Sequence, residues 1–110
     1  MKRQVIREDH RLDTEGNPSG GFTLGTGIDI RWQDGPLGRG KERLAPNGAS
    51  VEGVIQAVIG RLIFLENAAN GKFSCKENQV AIKYLEQSLN ALDERTNDRE
   101  ARGVEGTSEV

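Results

Sequence analysis

Three arginines near the end of the chain are spaced at helical intervals. Arg95, Arg99 and Arg102 lie four and three residues apart, so a helix would carry them on one side. Guanidinium groups that share a helix face can bind one multivalent anion, such as a diphosphate, through charge-assisted hydrogen bonds. Arginines are also common on solvated helix ends, where acidic neighbours pair with them at little gain in stability. The spacing therefore indicates either an anion site or a solvated surface.

An apolar row leads into these arginines. Its members precede the arginines in steps of four, three and four, and they are Ala81, Leu85, Ser88 and Leu92. A helix face that buries leucines rarely turns into open water one turn later. We therefore expect the arginines to line an interface or a pocket.

A glycine-rich segment resembles a phosphate-binding loop only in part. Residues 35–41 (GPLGRGK) match the first seven positions of a P-loop, in which backbone amides and a lysine hold phosphate. Glu42 occupies the eighth position, where a magnesium-binding Ser or Thr is required, and Pro46 follows where a helix must begin. We therefore interpret residues 33–49 as a long irregular loop, a class of segment that often serves binding.

The sequence shows no distinctive catalytic or metal-binding set. His10 is the only histidine and Cys75 the only cysteine, and no spacing brings the two together. A structural role is the commoner one for such a cysteine, and one cysteine cannot form an intramolecular disulfide. The acidic residues are interleaved with lysines and arginines, as on solvated helix faces. We therefore expect no catalytic residue, no metal and no cofactor.

Apolar and amide side chains flank the segment between two predicted helices. Phe64 and Phe73 could stack on a base, Leu65 lies beside Phe64, and the amide of Asn78 could read a base edge. The alternative for both phenylalanines is core packing at the end of a helical hairpin.

Hydrophobic periodicity predicts an α+β fold: a small antiparallel β-sheet packed with a two-helix antiparallel hairpin. Apolar residues alternate from Phe22 to Trp32, as in a half-buried strand. Helical spacing follows Ser50, and the Ser74 and Glu77 pair has the pattern of a capping box. We predict one domain spanning residues 1–110. Its parts are a poorly structured segment or edge strand (1–21), a strand (22–32), a loop (33–49), two helices (50–66 and 74–101) and a tail (102–110).

Composition limits both the core and the partners. With 110 residues, 35% hydrophobic and 5% aromatic, the chain can build only a thin core, so we expect at least a dimer. A net charge of -2 argues against a protein that coats DNA or RNA. No apolar run approaches the length of a membrane span, and charge follows residues 1–3 where a signal peptide is apolar. We expect a soluble protein that remains in a reducing cytoplasm.

Several segments resemble the phage Thoeris anti-defence protein one family. They are residues 75–82 (CKENQVAI), 92–99 (LDERTNDR), 102–110 (RGVEGTSEV), 32–37 (WQDGPL) and 60–62 (GRL). The resemblance covers about residues 22–110. Members of that family are sponges that sequester, without cleaving, the cyclic ADP-ribose isomers made by bacterial TIR-domain immune enzymes. Some relatives also hold cyclic oligonucleotides of the CBASS system.

The resemblance implies roles for particular residues. Arg95 and Arg99 would grip the diphosphate of glyco-cyclic ADP-ribose, and Asn78 would contact the ligand. The tail with Gly106 and Thr107 would cover the ligand from a neighbouring protomer. A base-stacking aromatic of the family falls at Leu65 in this chain, with Phe64 adjacent, and Arg39 is a candidate for a third anion contact.

The resemblance also implies an assembly and a location. Family members form higher oligomers with pockets between protomers, so a dimer-based hexamer in the cytoplasm of the infected bacterium is expected. Two alternatives remain open. One is an enzyme that degrades a nucleotide messenger with the help of a divalent metal. The other is a helical adaptor whose arginines dock an acidic partner.

Overall fold

The chain divides into two compact units, and its organisation as a single domain stays a prediction. The computed structural model describes residues 4–110. One unit combines the residues up to Ser50 with Arg102–Val110, and the other is Val51–Ala101. The first unit therefore joins the N-terminal half of the chain to its C-terminal tail.

The first unit contains a three-stranded antiparallel sheet. Its strands are β1 (Val5–Leu12), β2 (Pro18–Gly25) and β3 (Ile28–Arg31), in the order β1-β2-β3. Residues 1–21 were predicted to be poorly structured or to form one edge strand, whereas β1 and the start of β2 lie there; residues 1–3 lie outside the described part of the chain. Glycine explains this difference, because a Cβ on Gly21 would lie 1.9 Å from the carbonyl oxygen of Asp9. The glycine run allows close pairing with β1 instead of ending the strand.

The segment 22–32, predicted as one strand, is a β-hairpin. Gly25 pairs with Ile28, so only Thr26 and Gly27 form the connection, and Gly27 has a left-handed φ of +70°. Phe22 pairs with Arg31, and paired residues share a sheet face. Phe22 and Leu24 therefore lie on the face opposite to Ile28 and Ile30. The apolar residues on both strands have even numbers, so their alternation in the sequence looks the same as that of one continuous strand.

Side-chain contacts hold the hairpin on both faces. The indole Nε1 of Trp32 donates a 2.9 Å hydrogen bond to Oγ1 of Thr23, a buried residue. On the other face, the guanidinium carbons of Arg7 and Arg31 lie 5.2 and 5.3 Å from the ring centroid of Phe22. Cation–π contacts of this kind cover an aromatic ring that the sheet alone leaves exposed.

The second unit is a pair of helices, α1 (Val51–Gly71) and α2 (Lys76–Ala101), that contact each other. Regular geometry in α1 ends before Ala68, since Ala69 and Asn70 have φ values of +50° and +58°. The two helices and the antiparallel sheet confirm an α+β fold. The assembly of the chain into oligomers and the packing of sheet on hairpin stay predictions.

The apolar core of the described residues is small, as the composition predicts. Among residues 4–110 the buried hydrophobic side chains are Phe22 and Ile59, each 9% exposed. Larger apolar side chains on both helices are exposed instead, among them Val51, Val58, Val80 and Tyr84. Within the same residues, neither helix has the length and hydropathy that crossing a bilayer demands.

Candidate functional site

Two of the three arginines lie one turn apart on α2 and differ in burial. Arg99 is 9% exposed, whereas Arg95 is exposed. Apart from Ala81, the less exposed side chains of α2 recur in alternating steps of four and three, as Asn78, Ile82, Leu85, Leu89, Leu92, Thr96 and Arg99. That row is the inward seam of the helix. Arg99 is therefore the last member of this seam, whereas Arg95 lies next to it on the exposed side of the helix. Of the predicted row, Ala81, Leu85 and Leu92 are less exposed and Ser88 is exposed.

The third arginine does not belong to the helix. The helix α2 ends at Ala101, and Arg102 begins the tail, where its Nη1 donates a 2.6 Å hydrogen bond to the carbonyl oxygen of Val110. The predicted stripe of three arginines is thus a pair on α2, because the helix ends one residue before the third.

The helix pair is uneven in length, and the arginines lie on the longer partner. Residues 51–67 of α1 span about 25 Å, whereas the 26 residues of α2 span about 39 Å. Glu66 contacts the beginning of α2, so the two helices are aligned at their connection. The helix α2 is therefore longer than the regular part of α1 by about 14 Å. Arg95 and Arg99 lie within its last two turns.

A carboxylate at the end of α1 organises the connection between the helices. Glu66 accepts hydrogen bonds from Oγ of Ser74 at 2.6 Å, the backbone N–H of Cys75 at 3.1 Å and Nε2 of Gln79 at 3.2 Å. The bond from Ser74, followed by that from Cys75, holds the pKa of Glu66 below its ordinary value, against a smaller opposing effect of burial. Glu66 is therefore a charged acceptor for the first residues of α2.

The cap of α2 lies one residue later than the sequence predicts. Cys75 takes the N-cap position, because its carbonyl accepts the N–H of Gln79 and its Sγ accepts the N–H of Asn78 at 3.4 Å. Ser74 donates to Glu66 instead of capping the helix with Glu77. In the predicted capping box, Glu77 would accept the N–H of the N-cap residue. In the structure, Glu66 of the preceding helix accepts that N–H instead.

Asn78 and the aromatic residues lie around this connection. Nδ2 of Asn78 donates to the carbonyl oxygen of Phe73 at 3.4 Å. Phe64 and Phe73 are 56% and 54% exposed, so the core-packing interpretation is wrong for both. The guanidinium of Arg61 lies 4.9 Å from the ring centroid of Phe64 and covers one ring face. Leu65 has no ring and is less exposed than Phe64. Of these two neighbours, Phe64 is therefore the one that could stack on a base.

The remaining candidates belong to the first unit, where the tail lies on the glycine-rich loop. The N–H of Gly38 donates to the carbonyl oxygen of Gly106 at 2.7 Å, and Nη1 of Arg39 donates to the carbonyl oxygen of Gly103. Thr107 turns back within the tail, since its Oγ1 donates to the carbonyl oxygen of Val104 at 2.5 Å. The assignment of Arg39 as an anion contact stays a prediction.

Backbone bonds within the loop agree with its interpretation as a segment that is not a P-loop. The N–H groups of Glu42 and Arg43 donate to the carbonyls of Arg39 and Gly40, and only a short 3-10 turn (Gly40–Glu42) follows. Amides that a phosphate would need are therefore bonded to the chain itself.

An ion pair that sequence reasoning missed joins the same two segments. Nη1 of Arg43 lies 2.7 Å from Oε2 of Glu105. Sixty-two positions separate the two residues, and both are common surface types. No pattern in the sequence could have paired them.

The predicted ligand-binding residues thus fall into two groups. The helical unit carries Phe64, Leu65, Asn78, Arg95 and Arg99, and the other unit carries Arg39, Gly106 and Thr107. Nε2 of His10 lies 3.9 Å from Oε1 of Glu8 on the sheet, and Cys75 is the N-cap residue of α2. Across residues 4–110, no three His, Cys, Asp or Glu side chains are grouped so as to hold a metal ion.

Comparison with known proteins identifies a phage relative. Over 63 residues, or 57% of this chain, the sequence is 48% identical to Thoeris anti-defense 1 of Bacillus phage SBSphiJ7. The aligned residues span 42% of that relative, less than half of its length. No family model matches the chain. The identity confirms the resemblance to the Thoeris anti-defence proteins.

Proposed function

We propose that this protein is a phage anti-defence sponge that binds glyco-cyclic ADP-ribose and withholds it from the bacterial Thoeris system without cleaving it. The similarity to a phage protein named Thoeris anti-defense 1 supports the anti-defence role. The observation that carries the ligand assignment is the arginine pair on α2, in which Arg99 continues the inward seam and Arg95 lies one turn before it.

The chemistry of the pair suits a diphosphate. A guanidinium offers a rigid fork of N–H donors that matches phosphate oxygens, and its positive charge is permanent. A position with little exposure strengthens the attraction, because less water screens it. A sponge that competes with a receptor needs roughly nanomolar affinity, about -12 kcal/mol. Two bidentate arginines and a stacked base are suitable sources of that affinity.

Further contacts are assigned by the resemblance together with exposure. Asn78 contacts the ligand, and the exposed ring of Phe64 rather than Leu65 stacks on the base. Gly106 and Thr107 cover the ligand from the tail of a neighbouring protomer. Binding of this kind requires neither a nucleophile nor a metal, so the protein is not an enzyme.

Self-association is part of the proposal. On α1, Val51 and Val58 lie two turns apart and are 53% and 44% exposed; on α2, Val80 and Tyr84 are 38% and 62% exposed. Exposed apolar side chains on both helices favour burial between copies of a chain whose own core is small. We propose dimers that assemble into hexamers in the cytoplasm of the infected bacterium.

Recovery of the ligand tests the proposal. The protein is incubated with glyco-cyclic ADP-ribose, separated from free ligand and denatured by heat, and the released compound is identified by chromatography. Intact ligand in stoichiometric amount is expected. A converted product would establish a messenger-degrading enzyme instead. Absence of calorimetric heat with this ligand and with cyclic di- and trinucleotides would favour an adaptor that docks an acidic partner.

A further inference from the structure

The tail is held on the glycine-rich loop by contacts of three kinds. A backbone hydrogen bond joins Gly38 to Gly106, and an ion pair joins Arg43 to Glu105. The guanidinium of Arg39 also donates to the carbonyl oxygen of Gly103. All of them lie within one unit. Together they hold the tail on the glycine-rich loop.

The closest approach depends on glycine. Gly106 has a φ of +79°, and a Cβ there would lie 2.2 Å from the carbonyl oxygen of Gly38. Only glycine allows both this φ and this distance. The ion pair lies next to that contact, since Glu105 precedes Gly106 and Nη1 of Arg43 also lies 3.4 Å from the carbonyl oxygen of Gly38. The side chains of Arg43 and Glu105 are 42% and 24% exposed, so water screens the pair only partly.

We propose that Arg43 is a positioning residue for the ligand-covering tail, acting through Glu105. This inference rests on the proposed function. Arg43 contacts the carboxylate next to Gly106, so it fixes where Gly106 and Thr107 lie without touching the ligand. Contacts that hold the tail on the loop reduce the conformational entropy that the tail loses when it covers a messenger, and that favours slow release.

The test measures tail docking and ligand release separately. The amide of Gly38 donates to the tail, so its hydrogen exchange rate, followed by NMR in the ligand-free protein, reports docking. In Glu105→Gln we expect this exchange to become about threefold to fivefold faster, the upper part of the range for a partly exposed ion pair. The dissociation rate of glyco-cyclic ADP-ribose should rise by a similar factor. The matched control is Asp29→Asn, which breaks the 3.0 Å pair with Arg31 on β3 and should change neither rate.

A charge exchange separates positioning from general stability. The double variant Arg43→Glu with Glu105→Arg should bring both rates closer to those of the unaltered protein than either single variant does. Unchanged Gly38 exchange in Glu105→Gln would overturn the inference. Faster exchange with unchanged ligand release would also overturn it and would leave the sponge function intact. An unaltered protein that binds no glyco-cyclic ADP-ribose would instead refute the proposed function, and the positioning role with it.

Discussion

At the scale of single residues, the two arginines of α2 differ in what surrounds them. Arg99 lies in the inward seam of the helix, whereas Arg95 is open to solvent. Their charges are equal, but screening by water is weaker at Arg99. We therefore expect Arg99 to contribute more to anion binding than Arg95.

This difference gives the first prediction. Arg99→Ala should weaken the binding of glyco-cyclic ADP-ribose by about 1.5 to 3 kcal/mol, the range for charge-assisted hydrogen bonds, and Arg95→Ala by less. Titration calorimetry measures the affinity, and thermal unfolding verifies that each variant is folded. Lys83→Ala, at an exposed position of α2, is the control. Unchanged affinity in Arg99→Ala would remove the site assignment.

Glu66 gives a prediction about pH. Its pKa is lower in the folded chain than in the unfolded chain because Ser74 and the backbone of Cys75 donate to the carboxylate. The folded state therefore gains stability above the ordinary Glu pKa of about 4.3, and loses that gain as the pH falls through the lower folded value. Melting temperatures from pH 7 to pH 3 should fall less steeply in Glu66→Gln than in the unaltered protein.

Its control is Glu86→Gln, a change at an exposed position of α2. This variant should retain the full pH dependence of the melting temperature. If Glu66→Gln and Glu86→Gln gave parallel curves, Glu66 would have no special role in the connection.

At the scale of elements, the β2–β3 connection depends on one backbone conformation. Gly27 has a φ of +70° with no atom within 4 Å of an added Cβ, so a substitution there is opposed by backbone strain and not by crowding. Gly27→Ala should destabilise the protein by about 1 kcal/mol, and Gly27→Asn by less, because Asn tolerates left-handed geometry. Chemical denaturation measures both. Equal losses would show that some effect other than φ governs the turn.

The elements also show how far the sequence could be interpreted. Both helices were predictable because their apolar spacing extends over several turns, which a loop does not sustain. The turn at Thr26 and Gly27 was not predictable. Apolar residues that alternate in the sequence look the same in one long strand and in two strands joined by two residues. The cap of α2 was displaced by one residue, since Ser74 fits a capping pattern and only the position of Glu66 shows that its hydroxyl is used elsewhere.

The candidate site was predictable to the same limited depth. Arg99 could be selected from its spacing, because helical periodicity relates it to the leucines before it. The exposure of Phe64 could not be predicted, since phenylalanine at the end of a hairpin is more often buried. The pairing of Arg43 with Glu105 is long-range, and nothing local to either residue encodes it.

At the scale of the whole molecule, the small core makes association testable. Val58→Asp places a charge on the exposed apolar side of α1 and should shift the protein toward smaller species, because burying an unpaired carboxylate between copies is costly. Sedimentation velocity measures the distribution. The matched control is Gln56→Asp, on the opposite side of the same helix, which should leave the assembly unchanged. Equal dissociation by both variants would place the interface elsewhere.

The contact between the tail and the glycine-rich loop links two stretches that are distant in the sequence. The tail rests on residues 38–43, so a residue gained or lost in that loop would move Gly106 and Thr107. Changes of loop length are among the most readily tolerated in proteins. Under the proposed function, a change of loop length would thus be a short mutational route to a new ligand range.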